Sequence, residues 1–313
     1  MSIHMIAVAG PTAVGKTAVS VELARLLDGE IISADSMQVY RGMDIGTAKV
    51  TKEEMKGVRH WLIDVLDPSE PFDVVRFQSM AKAAAEDIAG RGKPVIVAGG
   101  TGFYLQALLR DIDFTETAED ADYRRELEEK PAEELYRMVE EVDPESAIAI
   151  HANNKKRLIR ALEFYRQTGT PISAHNEREK QRPSPYDTGM YFLDRDRAKL
   201  YARIEQRVDA MFDKGLAEEV RRLYDAGAVR TSTAMQGLGY KELYAWCAGE
   251  CTLDEARALI KLNTRHFAKR QLTWFRHTEG MVRLDVDEYG GDAAAIARVI
   301  AQLEEERQRK QTT

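Results

Sequence analysis

Only two cysteines, Cys247 and Cys251, occur in the 313 residues, too few for a disulfide framework. No histidine or further cysteine stands beside them to complete a four-ligand zinc set, so they read as ordinary thiols. No apolar run approaches the ~20 residues of a membrane span, and the N-terminus lacks the charged, apolar and small-residue regions of a secretory leader. The expected location is therefore the cytoplasm, with no membrane partner. Internal repeats and low-complexity linkers are also missing. A net charge of −7 argues against an evenly basic surface for nucleic acid, although the footprint that matters is local. At 44% apolar and 31% charged residues, the composition is that of a soluble globular protein with one large domain or two smaller ones.

What is present begins with Gly10-Pro11-Thr12-Ala13-Val14-Gly15-Lys16-Thr17, a complete G-x-x-x-x-G-K-[ST] phosphate loop. Glycines let successive backbone N–H groups turn toward one anion, while the following helix presents its positive end. Lys16 adds a mobile cation, and the Thr17 hydroxyl is placed to ligate a magnesium ion that bridges phosphate oxygens. A di- or triphosphate substrate is implied. Which of its bonds breaks is not.

The context suits the motif. Residues 5–9 are an apolar run ending at the loop, and Thr17 to Leu27 carry apolar residues at helical spacing. Further strands are expected at Glu30 to Ala34, Trp61 to Leu66, Pro94 to Ala98, Met190 to Leu193 and Met281 to Val286. Between them Val74 to Ala89, Lys199 to Lys214, Ala217 to Ala226 and Leu253 to Trp274 read as helices, and the polar end from Glu304 to Thr313 is expected to fray. Alternation of buried strands and helices predicts an α/β fold of the P-loop NTPase type, a parallel sheet with helices on both faces. Residues 111–185 have a different texture, with helical stretches at Ala121 to Glu129, Ala132 to Val142 and Lys155 to Thr168 and no clear strand. They predict a helical insertion in a core made of residues 1–110 and 186–313.

Ligands in such sheets gather beyond the carboxyl ends of the strands. Three corners, residues 10–17, 35–38 and 99–104, should therefore meet at one rim. Asp35 ends the second strand and is the candidate general base, although an Asp there also commonly caps a loop. Gly99-Gly100-Thr101-Gly102 follows the fourth strand, where motor-type hydrolases carry an acidic residue for magnesium; no Asp or Glu follows this strand. Thr101 offers a hydroxyl instead, or merely caps the next helix. The Asn-Lys-x-Asp signature of GTPases is also absent. Cations cluster at Lys155, Lys156, Arg157, Arg160 and Arg166, and aromatics interleave with cations from Thr264 to His277. That pattern suits a polyanion whose bases stack on rings, or simply a solvated helix face. A third group, Arg195, Arg197, Arg203 and Arg207, leads from a strand end into a helix and offers a further phosphate contact.

Together, the loop from Gly10 to Thr17, the run from Asp35 through Ser36, Met37, Gln38 and Val39 to Lys49, and Gly99 to Tyr104 resemble the tRNA dimethylallyltransferases, also called tRNA isopentenyltransferases. Downstream, Arg157 to Glu163, Asp194 to Arg197, Gly237 to Glu242 and Ala268 to Phe275 look like that family's later motifs, so the resemblance spans nearly the whole chain. It implies transfer of a dimethylallyl group from dimethylallyl diphosphate to N6 of adenine-37 beside the tRNA anticodon, with release of diphosphate and magnesium as cofactor. By the same resemblance Asp35 is the general base and Thr101 aligns the reacting groups. Gln38 holds the target base, and Arg207 joins the phosphate loop on the diphosphate. Contacts to tRNA fall to Asp35, Ser36, Met37, Gln38, Thr101, Arg157, Ile159, Arg160, Lys269 and Arg270. One departure is the basic run Asn153-Asn154-Lys155-Lys156, where the family often has an acidic residue and proline.

Prenyl transfer breaks a carbon–oxygen bond, so the loop need only hold the leaving diphosphate, which accords with the missing acidic residue. A target base stacked in the anticodon loop must be flipped out to react. The partners expected are thus the tRNA anticodon stem-loop and the five-carbon donor, with the chain acting as a monomer. Two other classes stay open from the residues alone. A small-molecule or nucleotide kinase would use Asp35 to accept a hydroxyl proton and the insertion as a lid. A nucleotide-regulated RNA-binding module would leave Asp35 and Thr101 idle.

Overall fold

The computed structural model describes residues 2–114 and 120–312; residues 115–119 of the expected insertion and Thr313 of the polar end lie outside the described residues. Two compact units form, one running through Asp111 and resuming at Pro185, the other spanning Ile112–Ser184.

In the first unit, β1 (His4–Ala9) leads to α1 (Lys16–Leu27) and β2 (Glu30–Ala34); a short α2 (Lys52–Met55), β3 (His60–Trp61), α3 (Val74–Gly90), β4 (Val95–Gly99) and α4 (Gly102–Leu109) follow. The second unit is helical: α5 (Ala121–Glu129), α6 (Ala132–Val142), α7 (Pro144–Ala149), α8 (Lys155–Thr168) and α9 (Ile172–Gln181). The chain then returns with β5 (Asp187–Asp194), α10 (Arg197–Asp213), α11 (Leu216–Asp225), α12 (Tyr240–Cys247), α13 (Leu253–Arg276), β6 (Val282–Asp285) and α14 (Ala293–Thr312).

The six strands lie in the order β3-β2-β4-β1-β5-β6, every pair parallel. From β1 to β2 the chain moves toward one edge, and from β3 to β4 it moves back. Right-handed crossovers therefore put α1 and α3 on opposite faces. Covered on both sides, Met5 through Ala9 of β1 are buried without alternation, as a central parallel strand requires.

Three expectations change. The third strand is not Trp61 to Leu66: after Trp61 the backbone turns through positive φ at Leu62 (63°) and Asp64 (54°), and Leu66 makes only an isolated bridge to Tyr40. The C-terminal polar run is helix rather than a frayed end. Glu304 is buried there and accepts a 2.6 Å hydrogen bond from the Tyr191 hydroxyl of β5, which ties α14 to the sheet. Helices α2, α7, α9 and α12 and the part of α14 before Glu304 are additional; α7 starts on the Asp143 side chain, which accepts from the Ser146 N–H at 3.0 Å.

The insertion has its own small core, built from Leu127, Leu135, Val139, Leu158, Ile159 and Leu162 among others. Their helical spacing leaves the opposite faces of α6 and α8 for charged residues.

Candidate active site

Register brings the three corners together. Ala9 pairs with Gly99 and Gly99 with Ala34, so the phosphate loop, the Asp35 turn and the Thr101 corner leave three adjacent strands at the same level. One pocket is lined by Lys16, Thr17, Ser20, Ile31, Ser33, Asp35, Gln38, Val50, His60, Ile63, Ala98 and Gly99.

Gly10 to Thr17 form the loop, and Gly15 enters α1 at φ 116°, a conformation that favours glycine. The Lys16 ammonium donates to the Pro11 carbonyl at 2.8 Å. Crowding by protein and the nearby Arg207 guanidinium lower Lys16 from the ordinary lysine range to about 7, with the Asp35 carboxylate pulling the other way. Arg207 donates to the Thr12 hydroxyl at 3.3 Å, and Arg203 to the Ala13 carbonyl at 3.1 Å. Of the arginine group, these two reach the loop; Arg195 pairs with Asp287 at 3.3 Å instead. Val14 is buried against the core, and Thr17 is exposed at the mouth of the loop.

Asp35 caps its own turn and leaves one carboxylate oxygen open. Its Oδ1 accepts from the Met37 N–H at 2.9 Å and the Gln38 N–H at 3.3 Å, which caps the turn, while Oδ2 has no hydrogen-bond partner among the described residues. The Gln38 amide donates to the carbonyls of Thr47 and Ala48 at 3.4 and 3.3 Å, so its oxygen is left as an acceptor. Ser36 and Met37 are half-buried beside it. Thr101 occupies the N-cap position of α4 without using its side chain as a cap, which frees the hydroxyl.

Gln271 of α13 joins two of these corners. Its oxygen accepts from the Thr12 N–H and its nitrogen donates to the Gly100 carbonyl, both at 2.9 Å. A carboxamide carries the acceptor and the donor that these two partners require. It lies inside the quoted Ala268 to Phe275 run, yet no role for it is evident from sequence. His60 also escapes sequence reading: its Nδ1–H donates to the Val58 carbonyl at 3.0 Å, and burial lowers its pKa against that bond. The ring is then neutral, with Nε2 an acceptor.

The basic stretches divide. Arg265 pairs with Glu205, and Arg276 with the buried Asp194 at 3.0 Å, so these two are structural cations. Lys269 and Arg270 are exposed on α13, as is Trp274 at 41%. On α8, Lys155 donates to the Glu128 carbonyl and Asn154 caps the helix, whereas Arg157 and Arg160 stand exposed without side-chain partners among the described residues. Ile159 does not join them. At 4% exposure its side chain belongs to the insertion's core, where apolar burial holds the helix that carries the two arginines.

Residues 38–278 match the family described as IPP transferase. The chain belongs to that family. Among its relatives, a tRNA dimethylallyltransferase of Lachnoclostridium phytofermentans is 51% identical over 305 residues, 96% of this chain and 97% of the relative. The full-length tRNA isopentenylpyrophosphate transferase of Bacillus halodurans is similar in structure, with TM-score 0.75 and 43% identity over 99% of this chain and 100% of that one. A eukaryotic dimethylallyltransferase, captured crystallographically while acting on tRNA, gives TM-score 0.85 and 31% identity over 98% of this chain and 80% of that one. For a member of the IPP transferase family, a phosphate loop beside a carboxylate and without a strand-end acidic residue is chemically coherent. Among the described residues, no cluster of three His, Cys, Asp or Glu could hold a metal, and no helix is long and apolar enough to cross a membrane.

Proposed function

We propose that this enzyme transfers the dimethylallyl group of dimethylallyl diphosphate to N6 of adenine-37 in tRNA and releases diphosphate. The observation that carries the reading is the juxtaposition of the phosphate loop with the Asp35 carboxylate, whose Oδ2 is unbonded while Oδ1 is fixed by the Met37 and Gln38 N–H groups. The loop N–H groups, Lys16 and Arg207 bind the diphosphate and favour its departure as charge develops on the bridging oxygen. The N6 lone pair of adenine is delocalised into the ring, so the amine gains nucleophilicity as Asp35 removes its proton. General-base help of this kind is worth roughly 10²–10⁴-fold. The Thr101 hydroxyl aligns the amine with the allylic carbon, and Gln38 holds the base.

Thr17, exposed at the loop mouth, suits a magnesium ion that takes most of its ligands from phosphate oxygens and water rather than from a protein cage. When bound, the ion neutralises charge on the diphosphate. Flipping the target base out of the anticodon stack costs a few kcal/mol, offset by contacts along Ser36, Met37, Lys269 and Arg270 in the core and by Arg157 and Arg160 of the insertion. The enzyme works as a cytoplasmic monomer, with residues 1–110 and 186–313 as the catalytic core and 111–185 as a tRNA-contacting insertion.

Labelled donor incubated with magnesium, unmodified tRNA and the purified protein should yield a prenylated adenosine on mass analysis of the digested nucleosides. Phosphate transfer from ATP without that product would overturn the reading in favour of a kinase.

A further inference from the structure

Resting on that transfer reaction, we propose that Glu219 is the positioning residue that sets the adenine-holding amide of Gln38. Glu219 lies on α11, far from the phosphate loop in sequence, and is 7% exposed. One of its carboxylate oxygens accepts from the N–H groups of Asp44 and Ile45, both at 2.9 Å. The other accepts from the Gly46 N–H at 3.1 Å and the Tyr240 hydroxyl at 2.6 Å. Three successive backbone donors on one buried carboxylate form an anion nest made by the protein for its own side chain. The Tyr240 ring approaches so closely that a Cβ on Gly46 would lie 2.6 Å from it, so Gly46 is the residue that admits the ring.

The next two residues after the nest, Thr47 and Ala48, supply the carbonyls that take both donor contacts of Gln38. With its nitrogen committed to the backbone, Gln38 presents only its oxygen to the pocket. An exocyclic amine has two protons: Asp35 Oδ2 takes one, and the Gln38 oxygen accepts the other. A base with a carbonyl at that position would meet two acceptors and be rejected. Removing the Glu219 charge loosens the 44–48 loop, frees the Gln38 amide to flip and weakens that preference to what Asp35 alone supplies. The groups meeting the diphosphate stay untouched.

The test compares binding of two anticodon stem-loops, one with adenine at the target position and one with purine, which lacks the exocyclic amine. Wild type should prefer adenine by more than roughly ten-fold, the worth of one good buried hydrogen bond, because the amine makes two. Glu219→Gln should lower the ratio by several-fold, leaving the share owed to Asp35, and leave the affinity for inorganic pyrophosphate unchanged. In a Gln38→Leu background the same substitution should change the ratio no further. Tyr240→Phe, which removes one hydroxyl and keeps the ring, should weaken the preference in the same direction and serves where Glu219→Gln is poorly folded. A ratio unaltered in both variants, or pyrophosphate affinity falling in step with it, would overturn the assignment. Because binding is read without turnover, a protein that failed to prenylate tRNA would refute the proposed reaction and not this positioning role.

Discussion

At the residue scale, Lys16 gives the site a proton-linked step. Its pKa of about 7 reflects burial away from water and the Arg207 charge, opposed by Asp35. A diphosphate beside it favours the ammonium and raises that value. At about pH 8 the lysine is mostly neutral before binding, so pyrophosphate binding should take up close to one proton at this group; near pH 5.5 it is already charged, and uptake here should vanish. Calorimetry in two buffers of different ionisation enthalpy measures the uptake, and subtraction of Lys16→Met removes the ligand's own titration. Uptake at pH 8 that survives in Lys16→Met would assign the proton elsewhere. Thr101→Val tests a second residue. It keeps shape and removes the hydroxyl, so transfer should slow by roughly ten-fold or more while stability changes little, because the side chain caps nothing.

At the element scale, α13 holds the two corners of the site in register through a single amide. Gln271→Leu leaves the Thr12 N–H and Gly100 carbonyl without their partner, at roughly 1–3 kcal/mol for each buried group. A lower melting temperature and a raised KM for the donor should follow. Gln271→Glu keeps the acceptor for Thr12 but sets a buried carboxylate against the Gly100 carbonyl and beside the diphosphate, and should raise the donor KM at least as much. Steady-state kinetics against both substrates check this; a donor KM equal to that of wild type in both variants would remove α13 from the cradle.

Elements of this kind also mark what was legible beforehand. Strand β2 and helices α5, α6 and α8 match their expected limits because burial and helical period are local signals. The loop from Gly10 to Thr17 and the Asp35 turn are equally plain, since backbone geometry there demands particular residues. Gln271 and Glu219 are different. Each is one polar side chain on an amphipathic helix, and only tertiary contact with Thr12 or with the Asp44 to Gly46 nest distinguishes it from a solvated neighbour. Ile159 errs in the other direction, being an apolar core residue inside a run whose charged members face out. Arg265 and Arg276 read as polyanion contacts until their partners, Glu205 and Asp194, come from other elements.

For the whole molecule, a net charge of −7 coexists with exposed cations on α8 and α13. Stem-loop binding should therefore weaken steeply with salt. Arg157→Ala and Arg160→Ala should each lower affinity without regard to loop sequence and reduce the salt slope by about one. Filter binding over a range of salt decides, and a slope unchanged in the double variant would take the insertion's arginines off the RNA. The chemistry itself is tested most directly by the single-turnover rate of prenyl transfer with both substrates saturating, in wild type and Asp35→Asn. The isosteric amide keeps an oxygen for the Met37 and Gln38 N–H groups, so the turn is preserved; with both substrates saturating, transfer should slow by roughly 10²–10⁴-fold. A saturated rate within about three-fold of wild type would contradict Asp35 as the base.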